Sequence, residues 1–170
     1  MIRVFGLPKA KARAGFLKTL RIVKRVHSRQ IVHRDLKPEN IMVTQAGELV
    51  LIDFGTAKDV EFNIRSKGNS STGRRYFENY IGTPQYMAPE CVHNWSSGFE
   101  SDVWSLGCLY YFLMSGFPPF LDGSEYLIYK RSLNQEPIYY DFLFDQFDRI
   151  VIESMLKKKK EERITLELLL

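Results

Sequence analysis

Cys91 and Cys108 are the only cysteines in this chain, so it has no disulfide framework and too few thiols for a cysteine zinc site. The expected setting is therefore reducing, cytoplasmic or alternatively nuclear. Long apolar runs are also missing. The longest, Val103 to Met114 (VWSLGCLYYFLM), is interrupted by Ser105 and Gly107 and falls short of the roughly 18 residues that a membrane span needs. It predicts a buried helix and no transmembrane segment. The opening stretch MIRVFGLPKAKARAG carries scattered positive charge without an apolar core of signal-peptide length.

Acid is scarce at one end. Residues 1–37 hold eleven Lys or Arg and a single acid, Asp35. Such a segment could meet nucleic acid or acidic lipid. Because Phe16, Leu20, Val23 and His27 recur at helical spacing between the charges, the reading taken is the solvated face of an amphipathic helix, with no nucleic-acid partner. Lys157–Lys160 is a second basic run, followed by Glu161 and Glu162. It suits a helix C-terminus and loop, where cations complement the dipole. His27 and His93 belong to no motif and read as ordinary helix and surface residues.

What is present is ample for one buried core: 170 residues, 45% of them apolar, with twelve Phe and nine Tyr. A helix is predicted from about Lys11 to Ser28. IVHRDL then reads as a short β-like stretch and a loop, and IMVT and ELVLID form a hairpin around the turn QAG. From Gly55 to about Tyr80 periodicity gives way to RSKGNSSTGRR, the composition of a long mobile loop. The remainder alternates helices (FESDVWSLGCLYYFLMSG, SEYLIYKRSL, FDQFDRIVIESMLKK) with a Pro-rich turn, GFPPF, and ends on TLELLL. The fold class expected is mainly α (α+β), a helical bundle with one small β-hairpin, without repeats or a second domain.

Three clusters stand in a fixed order: His33-Arg34-Asp35-Leu36-Lys37-Pro38-Glu39-Asn40, then Asp53-Phe54-Gly55, then Gly82-Thr83-Pro84-Gln85-Tyr86-Met87-Ala88-Pro89-Glu90. With Ser101-Asp102-Val103-Trp104-Ser105-Leu106-Gly107 behind them, they resemble the catalytic loop, magnesium loop and end of the activation segment of a eukaryotic serine/threonine protein kinase. The resemblance runs from about residue 16 to 170. It implies a kinase-like C-terminal lobe whose hairpin carries the catalytic and magnesium loops, ATP and Mg2+ as cofactors, and a protein partner offering a Ser or Thr hydroxyl.

Phosphoryl transfer needs charge neutralisation and positioning more than covalent chemistry. Asp53, an anionic oxygen ligand, and Asn40, a neutral carbonyl one, suit magnesium, and they sit at opposite ends of the hairpin sequence, so that its strands can bring them together. By resemblance, Asp35 accepts or orients the proton of the substrate hydroxyl, and Lys37 neutralises charge on the transferred phosphate. Thr83 links Asp35 and Lys37 to the substrate-binding strip, and Met42 packs beneath the adenine. Lys37 and Thr83 together point to serine or threonine as acceptor. Gly55 is expected to take backbone angles closed to other residues. By the same resemblance, His33 and Phe54 are buried packing residues between the two loops, Asp102 braces the catalytic-loop backbone, and Glu90 and Arg163 form a buried ion pair.

DFGTAK, and EYLIYK at residues 125–130, are most similar to the 3-phosphoinositide-dependent protein kinases of the AGC group. Departures accompany that similarity. The activation segment runs 38 residues from Asp53 to Glu90, and Asn79 stands where such kinases carry a phosphorylatable Ser or Thr. Either Glu78 or another acid partners Arg34, or Ser70, Ser71 or Thr72 carries a regulatory phosphate. No G-x-G-x-x-G precedes His33, so residues 1–170 are expected to form a partial kinase domain with the N-terminal lobe absent. On that view His33, Phe54 and Met42 face solvent, the chain alone is inactive, and any membrane recruitment comes through regions outside it. The alternative is a non-catalytic kinase lobe acting as a regulatory or docking module. Intact Asp35, Asn40 and Asp53 favour the enzyme.

Overall fold

The computed structural model describes residues 6–61, 82–94 and 96–170. The first helix, α1 (Lys9–His27), buries Ala12, Phe16, Thr19, Leu20 and Val23, the 3.6-residue stripe that its sequence spells out. Its last residues turn the chain into β1 (Ile31–Val32), and a one-turn 3-10 helix, Pro38–Asn40, leads into the hairpin of β2 (Ile41–Val43) and β3 (Leu49–Leu51). Ile41 pairs with Leu51, Met42 with Val50 and Val43 with Leu49. One hairpin face puts Leu51 into the core beside α1. The other leaves Met42, Val50 and Ile52 exposed.

A fourth strand, β4 (Lys58–Asp59), pairs antiparallel with β1. It lies inside the stretch expected to be loop from Gly55 on. No two-residue strand has a periodicity of its own, so a partner some 27 residues upstream decides it. Ser70, Ser71, Thr72, Glu78 and Asn79 lie outside the described residues, so neither account of the activation loop is tested by the structure.

Helix α2 (Pro89–Asn94) precedes the central helix α3 (Phe99–Ser115), which is buried on nearly every side, Trp104, Leu106, Cys108 and Leu109 completely. That burial explains why its sequence is apolar without a polar stripe. Phe16 of α1 stacks on Tyr110 with ring centroids 4.2 Å apart. From the other side α5 (Gln146–Met155) closes in, and a Cβ on Gly107 would come within 2.8 Å of Leu156 Cδ2. Gly107 therefore sets how near the two segments lie. Between them in sequence comes α4 (Glu125–Asn134), which packs by the Pro84–Tyr86 turn and α2, and α6 (Leu166–Leu169) ends the described helices.

Two polar clamps tie the helices together. Asp145 and Asp148 cap α5 reciprocally, and Asp148, wholly buried, also accepts from Arg13 Nε at 2.9 Å and Tyr110 Oη at 2.6 Å. At the far end Arg163 donates both guanidinium arms to Glu90, at 2.5 and 2.6 Å. The Arg163 side chain is 0% exposed, so this is the buried pair expected from sequence. Beside it Lys158 lies 4.5 Å from the Phe120 ring centroid and donates to the Gln135 carbonyl at 2.6 Å. The KKKK run is thus only partly a solvated loop.

Candidate functional site

The catalytic-loop sequence alternates buried and polar residues, and the structure uses that alternation. Leu36 is fully buried and acts as the anchor from which Asp35 and Lys37 on either side reach outward. Asp35 meets Lys37 at 2.7 Å through Oδ2. Thr83 Oγ1 accepts from Lys37 Nζ at 2.8 Å and donates to Asp35 Oδ1 at 2.9 Å. Asn40 Nδ2 donates to the Asp35 carbonyl at 2.8 Å and to its Oδ2 at 3.2 Å. Four of the six site residues singled out in the sequence therefore share one hydrogen-bonded cluster.

Burial pushes the Asp35 carboxyl up, but the bonds and charge of Lys37, with the bonds from Thr83 and Asn40, more than offset this and hold it below its ordinary value. The group is an ionised acceptor with its proton partners already in place.

Asp53 and Asn40 are brought together by the hairpin: Ile52 N–H donates to the Asn40 carbonyl at 2.9 Å, one residue before Asp53. Asp53 is exposed, and Gly55 N–H donates to its Oδ1 at 3.2 Å. Its other oxygen carries no hydrogen bond among the described residues. Since the Asn40 side-chain nitrogen is spent on Asp35, its side-chain oxygen Oδ1 is left as acceptor. An anionic and a neutral oxygen at the two ends of one hairpin, both without a hydrogen bond among the described residues, are of the type that fits magnesium.

Met42 is 52% exposed, on the hairpin face next to this pair and away from the Asp35 cluster. Phe54 is 44% exposed and meets His33 ring edge to face, with centroids 4.9 Å apart, so it packs on His33 without being buried and, like Met42, faces solvent as expected. His33, by contrast, is fully buried and does not face solvent, because its Nε2 lies 3.1 Å from the Ile52 carbonyl under the Phe54 ring. The expectation for Gly55 is corrected too. The left-handed backbone falls on Asp53 (φ 59°) and on Arg34 (φ 70°), a conformation that an Asp tolerates better than most residues. The glycine that matters is Gly82 (φ 128°), where a Cβ would crowd Met87 Cε at 3.2 Å and the Arg34 carbonyl at 3.4 Å.

Behind the loop sits Asp102, fully buried. It accepts from His33 N–H at 2.8 Å and Arg34 N–H at 2.9 Å, so it does hold the catalytic-loop backbone. His27, read from sequence as an ordinary helix residue, places Nε2 2.8 Å from Asp102 Oδ2. The signal was available, since His27 continues the Phe16, Leu20, Val23 stripe and so had to face the core. Thr56 was missed outright. Its hydroxyl donates to the His33 carbonyl at 3.0 Å and its carbonyl accepts from Arg34 Nε at 2.5 Å, joining the magnesium loop to the catalytic loop.

Comparison with known proteins follows the same lines. The protein kinase domain family matches residues 2–170. The chain is 36% identical over 144 residues to 3-phosphoinositide-dependent protein kinase 1 of Rattus norvegicus, covering 84% of this chain and 24% of that protein. It is 30% identical over 176 residues to the serine/threonine-protein kinase PKH1 of Saccharomyces cerevisiae, covering 98% and 22%. To the serine/threonine-protein kinase Sgk1 of Bos taurus it is 37% identical over 139 residues, covering 82% and 30%. The chain thus spans about a quarter of the length of such relatives.

Proposed function

The chain belongs to the protein kinase family, and on that premise we propose that it carries the catalytic floor of a serine/threonine protein kinase that transfers the ATP γ-phosphate to a protein hydroxyl. The observation that supports this most is the Asp35 carboxylate, fixed from three sides by Lys37, Thr83 and Asn40. A carboxylate held ionised is a weak base. In this reading it orients the substrate hydroxyl and takes its proton late, rather than ionising it beforehand. Lys37 is placed to move from Asp35 toward phosphate charge, and Thr83 keeps Asp35 aligned while Lys37 shifts. Asp53 and Asn40 would hold Mg2+, which supplies charge neutralisation on the phosphates when bound. Met42 would lie against the adenine, and its exposure leads us to expect weak ATP binding and no detectable transfer by residues 1–170 alone. A cytoplasmic location remains part of the proposal.

The test is transfer of labelled phosphate from ATP and Mg2+ to Ser/Thr peptides by the product of the gene, isolated from its own cells, with and without Asp35→Asn. The substitution should cut transfer by about 10^2- to 10^4-fold. Equal rates, or no transfer by the unaltered protein, would overturn the reading and leave the non-catalytic docking module.

A further inference from the structure

The stripe that α1 buries accounts for one side of the helix. The opposite side holds a second pattern that phosphoryl transfer does not use. At 100° per residue, Lys11, Lys18, Arg21 and Arg25 fall within an arc of about 80° and along about 21 Å of helix axis, centred opposite the buried stripe. All four are exposed. The other cations of the helix are otherwise engaged: Lys9 and Arg13 pair with Asp145 and Asp148, and Lys24 lies within electrostatic reach of Glu167. Among the described residues, Lys11, Lys18, Arg21 and Arg25 make no ion pair, and the helix contains no Asp or Glu. Tertiary structure thus sorts one basic segment into a neutralised edge and an unneutralised face.

We propose that this face of α1 docks on an anionic lipid surface. Charge complementarity and shape choose that occupant. The four cations line the outward face of a 19-residue helix, which can lie along a plane. Leu17, 39% exposed, sits at the border of the charged arc and can enter the headgroup region. A cluster of about four to eight Lys or Arg on an amphipathic helix is the pattern by which acidic lipid is recognised. A site that reads or stacks nucleic-acid bases would present aromatic or amide side chains, and this arc has none; sequence-independent phosphate contact is the competing occupant, which competition by an oligonucleotide distinguishes. The inference is independent of the kinase reading, since none of these residues touches Asp35, Asp53 or their partners.

The test is cosedimentation of the full chain with vesicles of phosphatidylcholine alone and of phosphatidylcholine containing phosphatidylserine. Binding should require phosphatidylserine and weaken as salt rises. K18E/R21E should weaken it by more than tenfold, since each surface cation contributes about fivefold. K157E/K159E changes net charge equally at another exposed site and should have much less effect. K18R, which keeps the charge, should bind like the unaltered chain, and far-ultraviolet dichroism of each variant should match it. No phosphatidylserine-dependent binding at low salt overturns the proposal. Equal loss in the two double variants, or tighter binding to an oligonucleotide that competes the chain off vesicles, does so as well.

Discussion

The two loops that meet at the site are built to opposite standards. On the catalytic-loop side the carboxylates are held by several partners each: Asp102 holds two backbone amides and His27 from behind, and Lys37, Thr83 and Asn40 hold Asp35 in front. On the magnesium-loop side Asp53 and Phe54 are exposed, and Met42, Val50 and Ile52 continue the open surface along the hairpin. The first region depends on the helical core for its shape and should fail with it. The second is tied to the rest of the chain by backbone bonds and by Thr56, while its apolar side chains bury little surface.

The contrast is most sharply tested at Asp102. Asp102→Ala leaves two buried amide donors without an acceptor, at about 1 to 3 kcal/mol each, so unfolding stability in urea should drop by about 2 to 6 kcal/mol. A loss below about 1 kcal/mol would mean that the brace is no firmer than the open side.

Thr83→Ala comes next. It removes one bond to an ionised carboxylate and should cost about 1.5 to 3 kcal/mol in the same denaturation experiment, while Thr83→Ser should recover most of it. The same cluster makes a pH prediction. Because the folded Asp35 carboxyl lies below its ordinary 3.8, its contribution is fully present above that value and is lost as pH falls through the lower folded value. Carboxylate titration followed by NMR should find Asp35 still ionised where free aspartate is half protonated, and Thr83→Ala should shift its midpoint upward.

On the open side, Phe54→Ala gives up mainly the edge contact with His33 and should cost about 0.5 to 1.5 kcal/mol. Smallest of all, Met42→Ser and Ile52→Ser should change stability by about 0.5 kcal/mol or less. Together they should lower binding of a hydrophobic fluorescent dye, because they thin the exposed patch. A larger stability loss from either would show that the hairpin face is covered in solution.

How much of this was readable beforehand depended on the range of the cause. The Phe16, Leu20, Val23 stripe, the hairpin around QAG and the apolar run of α3 are local patterns, and each became the element that its period predicts. The ordered motifs also singled out Asp35, Lys37, Asn40, Asp53 and Thr83, because their residue types and order carry a resemblance independent of packing, and the structure brings all but Asp53 into one hydrogen-bonded cluster. The Lys58–Asp59 strand, the Thr56 bridge and the left-handed turn at Asp53 had no such local signature.

The sequence by itself determined the chemistry available: the Asp35 carboxylate, the Lys37 ammonium and the Asn40 amide within six residues, and a second carboxylate, Asp53, thirteen residues on, in a chain able to form a helical core. Tertiary structure decided which groups are committed. His27 becomes a partner of Asp102 across 75 residues, Phe54 stays at the surface while His33 is buried, and among the described residues Arg13 is paired while Arg21 is not. Commitment is a matter of distance between residues far apart in the chain, and only packing of the helices sets those distances.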